Sequence, residues 1–154
     1  MNASLWSDIA DDIAAAERHF GSAGLIVAEG AFRGRDFAAY KDQAALMHAM
    51  QMGHTSAESA LRRIVLATDG QLPTSPEWHS DLLKLAVRPI PGDRPAIISE
   101  ELEEALQETR GFRHIAMHVY DKFRPKRAVA AVAAGQVVAR LLRTEFEAFR
   151  AALA

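Results

Sequence analysis

SEELEEALQETRGFRHIAMHVYDKFRP, residues 99–125, carries both the helical signature of this chain and its only concentrated chemistry. Ser99 is a hydroxyl N-cap. Glu100, Glu101 and Glu103 follow it where a helix N-terminus is partially positive. Pro125 pushes Arg124 out of the helical region, so this helix is predicted to end near Phe123. Between those limits Leu102, Leu106, Thr109, Arg113, Ala116 and Tyr120 recur at steps of three and four and share a face. Ala105, Phe112, Ile115, Val119 and Phe123 give a second face, apolar enough to meet a core. Arg110, His114, His118 and Asp121 form a polar stripe.

The same periodicity extends in both directions. Leu5, Ile9, Ile13, Phe20 and Leu25 predict helix from Leu5 to about Glu29, in one piece or two because of Gly21 and Gly24. Gly30 and Gly34 bracket a turn. A second helix is expected from Asp36 to about Thr68, with Phe37, Tyr40, Ala44, Met47 and Gln51 on one face, stopped by Asp69-Gly70. Ser75 as N-cap and Pro76 at the first helical position predict a short helix through Trp78, Leu82, Leu83 and Leu85. Pro89, Pro91, Gly92 and Pro95 mark a loop. Pro125 opens a final helix carrying Val129, Val132, Val138, Leu141, Leu142, Phe146, Phe149 and Leu153. The expectation is an all-α fold, an antiparallel bundle of about five helices, with residues 1–154 in one domain.

Composition agrees. The 154 residues are 49% hydrophobic, much of it alanine, which favours helix and suffices for a core without disulfides. With no cysteine, thiol catalysis and thiolate metal sites are excluded. A net charge of −2 means that any attraction for nucleic acid or anionic lipid must be local. No apolar run approaches membrane-spanning length, and the first residues lack the pattern of a signal peptide. A soluble, cytoplasmic protein with no membrane association is therefore the default expectation.

Local charge exists at one place. Arg110, Arg113, Lys122, Arg124, Lys126 and Arg127 face a single acid, Asp121, and surround the N-terminus of the last helix, a natural seat for phosphate. Cleavage of RNA needs a base for the 2′-hydroxyl, an acid for the departing 5′-oxygen and a fixed cation for the phosphorane. Histidine suits the first two roles and arginine the third, with no metal or cofactor required. Arg113 and His118, however, stand five residues apart, roughly 140° around an ideal helix. Both meet one substrate only if it straddles the helix, the helix end unwinds, or a second subunit completes the site. The plain alternative is a solvated Arg–His surface with cations matching a helix C-terminus. His114 and His118 have a spacing that can bind metal but lack an evident third ligand, so no metal site is expected. His19, His48, His54 and His79 read as structural.

Arg113-His114-Ile115-Ala116-Met117-His118-Val119-Tyr120 resembles the motif of HEPN-domain ribonucleases, and with its tyrosine the HepT toxins of type VII toxin–antitoxin systems. His114 departs from the commonest residue at its position while remaining polar. The resemblance implies a homodimeric helical bundle whose motifs face each other across the interface, which would remove the difficulty with Arg113 and His118. It implies a metal-independent endoribonuclease in which Arg113 and His118 are catalytic and His114 supports them. Arg110, Lys122, Arg124, Lys126 and Arg127 would hold RNA phosphates. A minimal nucleotidyltransferase antitoxin, MntA-like, would silence it by AMPylation of Tyr120. The alternative is a non-catalytic HEPN substrate-binding partner of a nucleotidyltransferase.

Overall fold

The computed structural model describes residues 1–118 and 123–154, and for residues 115–118 the backbone alone. Among the described residues five α-helices succeed one another: α1 (Ala3–Glu29), α2 (Phe37–Asp69), α3 (Trp78–Ala86), α4 (Glu100–His118) and α5 (Pro125–Ala152). A 3₁₀ turn, Ala31–Arg33, joins α1 to α2. Among the described residues there is no strand, only an isolated bridge between Ile90 and Arg94. The all-α expectation holds.

Local chemistry sets the helix limits. The Asn2 side chain accepts from Leu5 N at 2.8 Å to start α1, and Asp36 accepts from Ala39 N at 2.9 Å to start α2. Gly30 and Gly70 end these helices in the left-handed region, at φ 79° and 74°, returning their N–H groups to Ile26 and Leu66. Ser99 Oγ accepts from Leu102 N at 3.1 Å, as expected of an N-cap. Arg124 is extended before Pro125, which opens α5.

α1 is unbroken across Gly21 and Gly24. Glycine serves close approach in this region. The fully buried Phe20 ring wedges between Gly53 of α2 and Gly135 of α5, where added Cβ atoms would come within 2.9 and 2.6 Å of it. Gln136 donates to the Phe20 carbonyl at 2.7 Å. It does so in the space left by Gly24, where a Cβ would stand 2.9 Å from the Gln136 amide. α1 runs antiparallel to both neighbours: Arg63, late in α2, pairs with Asp12 and Asp8 early in α1, and Arg143, late in α5, grips Glu17 bidentately at 3.0 and 2.7 Å. α4 and α5 are also antiparallel, through Ser99–Glu145 and Glu101–Arg140. One core joins all five helices, with Ile9, Phe20, Leu46, Met50, Leu61, Ile64, Leu82, Leu102 and Phe146 completely or almost completely enclosed.

One expectation is corrected, and two apolar faces whose direction spacing left open are placed. α3 begins at Trp78 after a Glu77 cap, not at Pro76. Ser75 turns its hydroxyl to Asp81 at 2.6 Å and its carbonyl to Trp78 N, so Ser75–Glu77 forms a turn that precedes the helix. On α2, Phe37 and Tyr40 face outward, with exposures of 71% and 68%, while Met47 of the same stripe packs partly buried against the core. The buried stripe instead runs through Ala39, Leu46, Ala49, Met50, Gly53, His54, Ala57 and Leu61. Leu25 is likewise exposed although Phe20 is enclosed. The predicted end of α4 lies outside the described residues.

Candidate active site

Arg113 sits where the buried face of α4 reaches the surface. Leu102, Leu106 and Thr109 on that face are enclosed, and the Arg113 side chain retains 21% exposure. Its Nη1 lies 3.6 Å from Oε1 of Glu58, a carboxylate of α2 with only 8% side-chain exposure. Its Nε is buried without a hydrogen-bond partner among the described residues. An arginine held, among the described residues, by one loose ion pair keeps most of its donors for another anion.

Glu58 collects two histidines as well. His79, near the start of α3, places Nδ1 2.6 Å from Glu58 Oε2. Nε2 of His54, one turn before Glu58 on α2, is 3.6 Å from the same oxygen. His54 is almost wholly buried, and its Nδ1 lies 2.8 Å from Thr109 Oγ1 on α4. The Thr109 hydroxyl also donates to the Leu106 carbonyl at 3.2 Å, and His54 Nε2 is buried without a hydrogen-bond partner among the described residues. Burial lowers the His54 pKa, and Glu58 only partly offsets this, so the ring is kept neutral. Burial pushes the Glu58 carboxyl up, but the two imidazoles outweigh it and hold the group below its usual range. The result is a buried carboxylate ringed by two imidazoles and a guanidinium from three helices.

The remaining predicted residues divide. His114 is exposed on α4. Arg110, half-buried, donates to Gln107 at 2.9 Å and is turned along its own helix. Arg124, Lys126 and Arg127 are exposed at the N-terminus of α5. Arg127 also lines a depression of about 250 Å³ with Glu108, Gly111 and Phe112, where the Glu108 carboxylate opposes an anion. His118 belongs to α4 by its backbone, and its side chain lies outside the description; so do Tyr120 and Lys122 altogether. Because α4 is helical from Arg113 through His118, the roughly 140° between those positions persists. Among the described residues, no group of three or more His, Cys, Asp and Glu side chains could hold a metal ion.

Sequence reasoning missed Glu58. A signal existed: a lone acid among the small residues Ser56–Ala60, one helical turn after His54. Spacing within α2 could not reveal that Arg113 and His79 arrive from two other helices.

The HepT-like protein family matches residues 45–153, from the first third of α2 to just past the end of α5. This chain belongs to the HepT-like family. That membership places it with the HEPN toxins of toxin–antitoxin systems. The matched span contains Glu58, His79 and the whole Arg113–Tyr120 motif and leaves out α1. No curated protein and no solved structure matches the chain. Among the described residues of this HepT-like protein, no helix is long and apolar enough to cross a membrane.

Proposed function

We propose that this HepT-like protein is a metal-independent endoribonuclease toxin that acts in the cytoplasm as a homodimer. The observation that carries the reading is the Arg113–His118–Tyr120 motif in the sequence of a HepT-like chain, with Arg113 on α4 loosely held and partly exposed. Arg113 stabilises the charge that builds on the phosphoryl oxygens, because a guanidinium stays protonated and binds phosphate bidentately. His118 acts on the departing 5′-oxygen, and His114 supports it. Two copies of α4 across a twofold axis would bring Arg113 of one protomer within reach of a substrate held by His118 of the other. Arg124, Lys126 and Arg127, exposed beside the α5 N-terminus, support a path for RNA phosphates, to which Arg110 and Lys122 would add charge.

Tyr120, two residues beyond His118, is the proposed site of AMPylation by a minimal nucleotidyltransferase antitoxin. AMP adds bulk and negative charge beside the cationic groups and so competes with RNA. The test couples both halves of the reading. The purified protein is incubated with ATP and such a transferase, its intact mass is measured, and cleavage of a labelled RNA is followed before and after. One or more AMP additions that Tyr120→Phe abolishes, together with loss of cleavage, are expected. Modification elsewhere, or cleavage unaffected by modification, would contradict it.

A further inference from the structure

Glu58 offers its two oxygens to different groups: Oε1 to Arg113 and Oε2 to His79. A carboxylate only accepts, so the 2.6 Å contact fixes the His79 proton on Nδ1. In the neutral ring, Nε2 on the opposite edge then carries a lone pair. No described group hydrogen-bonds that edge, and the side chain is 33% exposed. The ring plane is fixed as well, because His79 stacks on Trp78 at 3.6 Å between centroids and Arg62 covers Trp78 at 5.1 Å. An imidazole with Nδ1–H on a buried carboxylate, its plane clamped and its far nitrogen open, is a ready acid–base group.

We propose that His79, oriented by Glu58, is the general base of the Arg113 site. This rests on the ribonuclease reading above and deepens it. Nε2 takes the proton of the ribose 2′-hydroxyl, and the 2′-oxygen forms its bond to phosphorus. The bond from phosphorus to the 5′-oxygen breaks, and that oxygen takes a proton from His118. The products are a 2′,3′-cyclic phosphate and a 5′-hydroxyl, with no oxidant, reductant or metal in the balance. Glu58 is a positioning residue that holds base and phosphate clamp on one carboxylate. The charged and titratable groups about His79 are Glu58, His54 and Arg62 of α2 and Arg113 of α4. On α3 itself, Asp81 is occupied by Ser75 and Lys84.

The test is single-turnover cleavage of a mixed-sequence pool of short fluorophore-labelled single-stranded RNAs across pH. It compares wild type, His79→Gln, His79→Ala and His118→Ala, with thermal melts to verify folding. His79→Gln is expected to lower kcat by about 100-fold or more, to change KM little, and to abolish the rise of rate with pH on the acid side. Added imidazole should restore part of the His79→Ala rate, which a purely structural role would not allow. Folded His79→Gln with wild-type kcat and pH profile, while His118→Ala is dead, would overturn His79 as base and leave the nuclease standing. A wild type that cleaves nothing would overturn both.

Discussion

Glu58 is enclosed by groups from three helices, and that arrangement makes His54 a pH-sensitive element of stability. The unfolded His54 takes up a proton below about pH 6.5, whereas the folded one resists because burial lowers its pKa. Protonation therefore favours the unfolded chain: stability is fully present above pH 6.5 and is lost as pH falls. Glu58, also held below its ordinary value, adds a second loss at still lower pH, where the unfolded carboxyl is protonated first. His19, lowered by burial and by Arg18 and His48, contributes in the same direction as His54. The difference between wild type and His54→Gln isolates His54: the melting temperature of the variant should fall less between about pH 7 and pH 5.5. Equal pH slopes in the two proteins would show that the ring is not held neutral. This cluster was only partly legible beforehand. Arg113 was visible in its motif, but the partners that meet it depend on how three helices pack, which no spacing along one helix encodes.

At the scale of elements, Phe20 shows how the crossing of α1, α2 and α5 is specified. Its ring occupies space that only glycine leaves at positions 53 and 135. Gly135→Ala should help α5 as an isolated helix by up to about 1 kcal/mol. The added methyl would stand 2.6 Å from the ring, and overpacking of that kind costs about 1–3 kcal/mol. Net destabilisation in chemical denaturation is expected, and a more stable Gly135→Ala would refute the wedge. The glycines that left the continuity of α1 open in sequence thus have their reason in tertiary contact. Helix limits set by local chemistry were legible: Asp69-Gly70, Ser99 and Pro125 all act as read. The start of α3 was not, because the Ser75 hydroxyl finds Asp81 instead of capping a helix at Pro76. Spacing also leaves open that Phe37 and Tyr40 point outward. These rings pair with one another, 6.2 Å apart, and Lys41 covers Phe37. Apolar periodicity marks a face but not the side on which the rest of the bundle lies.

Over the whole molecule, the bundle presents Arg113 at the end of a buried stripe and leaves the positive charge of the α5 N-terminus exposed on a molecule of net charge −2, so the proposed RNA path is a local one. The helical class followed from composition and period. The proposed pairing of protomers does not follow from one chain, since the roughly 140° between Arg113 and His118 states the need for a composite cleft without supplying the mate. The most direct measurement is the cleavage rate of RNA by wild type, Arg113→Ala and His118→Ala, each matched for folding and oligomeric state. The account predicts cleavage by wild type and a fall of at least about 100-fold in each variant. Equal rates in all three, or no cleavage by the unmodified protein, would contradict it.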